Sequence, residues 1–224
     1  YNLYIYLPTI VKSNYKNYFF VNIENILSNL KIKGFVISNI CNLKLLETLL
    51  KDSRKNYELI ANYTFNIFNT YTVAELKKLN VKRYTISPEL DKDTITSLCN
   101  NAILPNEMII YGKVPLTNMN YCLLGETDKC YPTCQQKCLT NNKYYIQDRM
   151  NMKFRILPDN IQTVTTVFNS KTISISPKEF NTNAIRIDIL DENIEEINTV
   201  IDTIKNNQKF EGNNYTNGNI KRKI

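Results

Sequence analysis

Short β-branched apolar runs alternate along most of the chain with stretches of helical hydrophobic period, which is the pattern of βα units. Asn2 to Leu7 reads as a strand closed by Pro8, and Val21 to Leu30 as a helix with Ile23, Ile26, Leu27 and Leu30 on one face. Gly34 to Ile40 is an apolar strand, and Asn42 then stands as the cap of a helix over Leu43 to Leu50. Tyr57 to Tyr63 is the next strand. Asn69 or Thr70 caps a helix running through Leu79, with Val73 and Leu76 inward. Lys82 to Ile86 follows as a strand, and Ser87-Pro88 offers a cap and an N1 proline. A helix over Asp91 to Asn100, carrying Ile95 and Leu98, leads to a fifth strand over Glu107 to Lys113.

There the rhythm breaks. A cysteine-bearing loop comes next, then two short β-like pieces at Lys143 to Gln147 and Lys153 to Leu157. A last unit pairs a strand over Ala184 to Leu190 with a helix from Glu192, whose buried stripe would be Ile194, Ile197, Val200, Ile201 and Ile204. The organisation expected is βα units over 1–117, a cysteine-rich insert over 118–160, the final βα unit or units over 161–206, and a flexible basic tail over 207–224.

Short apolar strands between helices imply a parallel sheet and an α/β fold. The expected form is an incomplete TIM-like (β/α) barrel with an inserted cysteine-rich loop before the last strand; an open doubly wound sheet is the alternative. A closed barrel typically takes about 250 residues. This chain has 224 and opens on Tyr1 rather than Met, so a barrel lacking its start is expected. With Gly only 5 in total and no Gly-rich loop after the first strand, a dinucleotide-binding domain is disfavoured.

Composition then removes whole classes of chemistry. There is no histidine, so Ser-His-Asp and Cys-His nucleophile pairs, His-liganded zinc and the HExxH helix are out. Any metal must be held by Cys, Asp or Glu. No apolar run approaches about 18 residues and no signal-peptide pattern is present, so a cytoplasmic chain with no membrane contact is expected. The net charge of +7 is dispersed, with small clusters at Lys77-Lys78, Lys82-Arg83 and Lys221-Arg222-Lys223. It permits RNA as a partner without pointing to it.

Four of six cysteines fall together: Cys122, Cys130, Cys134 and Cys138, in YCLLGETDKCYPTCQQKC. Four thiolates from one loop suit a soft metal, and Cys₄ is the ligand set of a [4Fe-4S] cluster or a structural zinc. Zinc sites use paired knuckles of two to four intervening residues, which the gap between Cys122 and Cys130 exceeds, so the cluster is favoured and zinc is the alternative. Local disulfides or free thiols are the bland reading of the same loop. Cys41 and Cys99 stand among apolar neighbours and read as small core residues, although Cys41 lies just past a strand's C-terminal end.

In parallel α/β folds ligands bind beyond the carboxyl ends of the strands. That rule selects Asn39, Asn66 and Asn69 as substrate-binding candidates and Glu89 and Lys113 as catalytic ones, with Thr117 beside Lys113. It places them on the same face as the cysteine loop. Each also has a plain role: Asn69 as a helix cap, Glu89 as a complement to a helix N-terminus, Lys113 as a solvated amine. Arg149, in the pair Asp148-Arg149 just after the loop, joins the substrate-binding set or supports the loop through an ion pair; a solvated turn is the alternative.

Several strings taken in order carry a further signal: YIYLP from Tyr4, GFVISN from Gly34, NIFN from Asn66, SPEL from Ser87 and IYGKVPL from Ile110. Asn120-Tyr121-Cys122, YYIQDR from Tyr144 and Phe168-Asn169-Ser170 follow them. On these residues the chain resembles the U32 peptidase (collagenase-like) family, particularly the latter barrel portion of its long bacterial members. The resemblance covers nearly the whole chain. It implies a TIM-like barrel whose first strands precede Tyr1, so that a missing N-terminal part of the same polypeptide would be a partner. It also implies an iron-sulfur loop in which Cys122 matches the first ligand and Cys130 the second. Members were named as proteases, and others are similar to accessory proteins of RNA or quinone hydroxylation with a four-cysteine [4Fe-4S] site. The sequence departs from the family in two places. No cysteine occurs in Asp159-Asn160-Ile161-Gln162-Thr163, where the last ligand is expected, and Gly218-Asn219 stands where a Gly-His pair is common.

Three functions are therefore carried forward. The first is an iron-sulfur-dependent component of RNA or small-molecule hydroxylation. The second is a peptidase using metal- or carboxylate-activated water, with Glu89 as base. The third is a non-catalytic module around a structural Cys₄ zinc.

Overall fold

The computed structural model describes residues 1–127, 130, 134–140 and 142–222. Strand and helix alternate as β1 (Tyr4–Tyr6), α1 (Lys16–Asn29), β2 (Gly34–Ile37), α2 (Ile40–Leu50), β3 (Glu58–Ala61), α3 (Thr70–Lys78), β4 (Arg83–Thr85), α4 (Lys92–Asn100) and β5 (Asn106–Gly112). β1 to β5 pair in parallel in sequence order. β11 (Ala184–Ile187) adds to β5 in parallel, and β10 (Thr172–Ser174) runs antiparallel to its C-terminal end. The result is a mixed α/β fold on a parallel-rich central sheet. Among the described residues no ladder joins β1 to β11, and no helix is long and apolar enough to cross a membrane.

Register sorts the sheet into two unlike faces, because successive side chains point to opposite sides. Phe35, Ile37, Leu59, Ala61, Tyr84, Met108 and Ile110 face the helices and form the main core with Leu46, Val73, Leu76, Ile95 and Leu98. The opposite face carries Tyr4 and Tyr6 on β1, Glu58 and Ile60 on β3, Arg83 and Thr85 on β4, Glu107 and Ile109 on β5, and Arg186 on β11. A polar inner face on parallel strands is what the strand ends below are built on.

Between β5 and β10 the chain forms a second, antiparallel sheet. It consists of β6 (Pro115–Met119), β7 (Tyr144–Gln147), β8 (Lys153–Asp159) and β9 (Val164–Phe168) in the order β6-β9-β8-β7. The insert over 118–160 is therefore part of a sheet that begins before it and ends after it. The short helix α5 (Leu123–Thr127) and the cysteine segment lie between β6 and β7.

Several local expectations change. α1 starts at Lys16, well before Val21. Asn39 caps α2 by accepting from the Asn42 backbone N–H, so Asn42 lies inside the helix. The Asn42 side chain is instead buried, accepting from Ser38 N at 2.7 Å and donating to the Pro8 carbonyl at 3.3 Å. In α6 (Ile194–Lys205) Val200 is buried but Ile194 is 77% exposed, because it is the first residue after the Asn193 cap. Residues 207–222, read as a tail, return to the sheet: β12 (Tyr215–Thr216) pairs with β10, and Ile220 enters the core. Lys223 lies outside the described residues. Cys99 is half-buried as expected, but Cys41 is exposed on α2.

Candidate functional site

The C-terminal ends of β1, β3, β5 and β11 open into a cavity of 470 Å³, roofed by β6 and β9. Tyr6, Tyr63, Lys113, Arg186 and Asp188 line it from the parallel sheet, and Phe168 from the roof. Gly112 makes the approach of β5 to β11 possible. It has φ +136, and a Cβ there would stand 2.6 Å from the Asp188 carbonyl oxygen.

Arg186 is the organising charge. Its Nε donates to Asp188 Oδ1 at 2.5 Å and its Nη1 to Asn62 Oδ1 at 2.9 Å. Glu107 Oε1 stands 3.8 Å from the same Nη1. The guanidinium lies over the Tyr6 ring, 5.7 Å from its centroid, a cation–π geometry. Asn62 in turn donates to the Tyr6 hydroxyl at 2.6 Å. Below it, Glu107 pairs with Arg83 at 2.7 Å and accepts from Thr85 at 2.8 Å. Burial works against the Arg186 charge, but Asp188 and Glu107 outweigh it and raise its pKa. Burial pushes the Tyr63 phenol up as well, so Tyr63 meets the cavity as a neutral hydroxyl. The arrangement can fix a polar, planar or anionic group against a rigid guanidinium while apolar walls exclude water.

The roof is tied down beside β1. Buried Gln162, in the turn between β8 and β9, accepts from Lys12 N at 2.9 Å and donates to the Ile10 carbonyl at 3.0 Å. Its neighbour Thr163 accepts from Lys12 Nζ at 3.2 Å. The segment Asp159 to Thr163, which lacks the expected ligand cysteine, thus holds the roof to the β1–α1 loop.

Of the strand-end residues selected by sequence, Lys113 lines the cavity. Asn39 stands behind its wall, donating to the carbonyl of Thr9, itself a lining residue. Asn69 caps α3, accepting from Thr72 N at 3.0 Å, and Asn66 is an exposed residue at φ 51 closing a turn. Glu89 is exposed outside the cavity lining, where its backbone carbonyl accepts from Asn219. Arg149 is exposed at the β7–β8 turn, and Asp148 folds that turn by accepting from Met150 and Met152 N–H groups. These residues are not gathered at one centre. Arg186, Asn62, Tyr6, Asp188 and Glu107 were missed, although polar residues at alternate positions in otherwise apolar parallel strands were a legible sign of a polar inner face.

The cysteines occupy the far side of the roof. Val164, Thr166 and Phe168 face the cavity, so Thr165 points away from it. Thr165 Oγ1 accepts from Leu123 N at 3.2 Å and donates to the Tyr121 carbonyl at 2.9 Å, tying the Cys122 backbone to that outer face. The antiparallel sheet therefore lies between the cysteine segment and the strand ends, correcting the expectation of a shared face. Cys130 is buried, Cys122 and Cys138 half-buried and Cys134 exposed. The Gln135 N–H points at Cys130 Sγ at 3.0 Å. Burial raises the Cys138 thiol first, with further lifts from Cys122, Cys134 and Cys130. That Gln135 N–H, ahead of those of Lys137 and Gln136, lowers the Cys130 thiol. Among the described residues no three Cys, Asp or Glu side chains form a set that would hold a metal ion. The donor chemistry nonetheless fits a soft metal: four thiols on one segment, with a backbone N–H directed at sulfur.

The family model described as peptidase family U32 matches residues 2–207. No curated protein and no solved structure matches the chain.

Proposed function

The chain belongs to peptidase family U32, and on that premise we propose that it is an iron-sulfur-dependent component of a hydroxylation of RNA or of a small molecule. In this reading the central sheet is the wall of an incomplete barrel and the cavity at its strand ends receives the substrate. Cys122, Cys130, Cys134 and Cys138 would hold a [4Fe-4S] cluster, which when bound supplies single electrons. The observation that carries the reading is the four-cysteine segment with the Gln135 N–H directed at Cys130 Sγ. Arg186, held by Asp188 and Asn62, orients the substrate, and Lys113 and the Tyr63 hydroxyl offer further donors. The antiparallel sheet stands between the cysteines and the bound group.

The peptidase reading ranks second because it needs a free base at the cavity. Glu89 stands outside the lining. Of the carboxylates inside, Asp188 is engaged by Arg186, and Asp159 accepts from the Ile161 and Gln162 N–H groups.

Purification without oxygen, followed by iron and sulfide analysis and visible absorbance, tests the proposal. Iron and sulfide lost in Cys130→Ser support it. Protein without iron overturns it, and one zinc without visible absorbance replaces it with the structural Cys₄ zinc module.

A further inference from the structure

A second cleft, of 560 Å³, opens beside the first between the N-terminal end of α6, the end of β5, and β7. Its lining carries charges of both signs. Lys113 and Lys143 gather around Asp191, which is already paired with Arg155 at 2.7 Å. Lys143 Nζ donates to the Asp191 carbonyl at 3.2 Å, and both lysines contribute with Arg155 to holding the Asp191 carboxyl low against burial. Three cations thus act on one carboxylate there.

Tyr111, Phe210 and Tyr215 form an aromatic wall of the cleft, with Phe210 stacked on Tyr215 at 5.3 Å and tilted against Tyr111 at 5.7 Å. Glu192 accepts from the Tyr111 hydroxyl at 3.2 Å and from the Leu190 and Asp191 N–H groups, which orient it without neutralising it. Glu196 is held by the Asn193 N–H in the capping box of α6. Among the described residues the carboxylate of Glu195 has no ion-pair partner. Burial, then the charge of Glu192, raises the Tyr111 phenol, and Glu196 adds to it.

We propose that this cleft is a binding site for a ligand with a cation at one end and a carboxylate at the other, joined by an apolar spacer. An ammonium or guanidinium seats against the aromatic wall and its glutamates, where ring faces and carboxylates attract the same charge. The carboxylate reaches Lys143 and Lys113, and the spacer lies along Leu190, Val200 and Tyr145. An ω-amino carboxylate has this form, as does a lysine-like chain terminus. The site is separate from the cysteine segment and independent of the iron-sulfur reading, since its occupancy needs no metal.

Titration calorimetry with ε-aminocaproate, with hexylamine and hexanoate as single-ended controls, tests the assignment. The expected result is saturable one-to-one binding of ε-aminocaproate, with each control weaker by about tenfold or more. Glu195→Gln and Lys143→Met should each weaken it by about tenfold. Should Lys143→Met fail to fold, Glu195→Gln decides alone, because that side chain is exposed on the helix surface. Absence of saturable binding, equal binding of either control, or unchanged binding in Glu195→Gln overturns the proposal.

Discussion

Arg186, on β11, lies over the ring of Tyr6, on β1, 5.7 Å from its centroid. The two strands share no ladder, so this contact and the Asn62 hydrogen bonds to both residues bring the ends of the sheet together across its polar face. The charge that organises the cavity is thus also a structural link.

Replacing Arg186 with Met tests that link. Glu107 would keep Arg83, but Asp188 would lose its partner and Asn62 an acceptor role. Breaking a largely buried ion pair from one side should cost about 2–4 kcal/mol. Urea unfolding should show it, and Arg186→Lys should recover only part, because an ammonium cannot reproduce the forked contacts. Stability equal to the parent protein in Arg186→Met would refute the structural role.

Asn69 separates capping from substrate contact. Asn69→Ala should lose about 1 kcal/mol through the N–H of Thr72, and Asn69→Asp or Asn69→Ser should restore most of it. A stability series in urea reads this directly. If Ala, Asp and Ser behave alike, the capping assignment fails.

Asp191 gives the acid limb of stability a specific origin. Burial alone would raise its carboxyl, but Arg155, with Lys143 and Lys113 beyond it, holds it below the ordinary aspartate value. A carboxylate depressed in the folded state stabilises the fold above its unfolded pKa, and that contribution is lost as pH falls through the folded one. Stability should therefore drop on acidification below about pH 4, and Asp191→Asn should flatten that drop while lowering stability at neutral pH. Unfolding free energies at a series of pH values provide the check; an unchanged acid limb in the variant would refute it.

Gln162→Ala should free the roof from the β1–α1 loop at a cost of about 1–2 kcal/mol, since the Lys12 N–H and Ile10 carbonyl lose their partner. Amide exchange at Lys12 should speed up before exchange in β2 or β3 changes. Protection at Lys12 unaffected by the substitution would show that the roof is held elsewhere.

The parallel strands and α2 to α4 were legible because their apolar periods are strong and their neighbours are local. β6, β9, β10 and β12 were not. They are two to five residues long, rich in Thr, Asn and Ser, and draw their pairing from partners far along the chain. Asn39 and Asn42 show the limit at finer grain: either amide can cap, and only the contacts of Asn42 with Ser38 and Pro8 decide between them. Of the residues that the strand-end rule selects, Lys113 lines the cavity. The rule passed over Arg186 because a lone arginine inside a short strand reads as an edge or solvent residue until the opposite strand is known to face it.

β8 carries Arg155, bound to Asp191 in the connection after β11, and its far end turns into Gln162, bound to the connection after β1. Seven residues of extended chain reach about 20 Å. The strand is consequently a keystone laid over the unpaired seam between the two ends of the parallel sheet. A single cut in the β7–β8 hairpin would spare every parallel ladder yet release the thrust that keeps the seam shut, so limited proteolysis there should disassemble the cavity before the core.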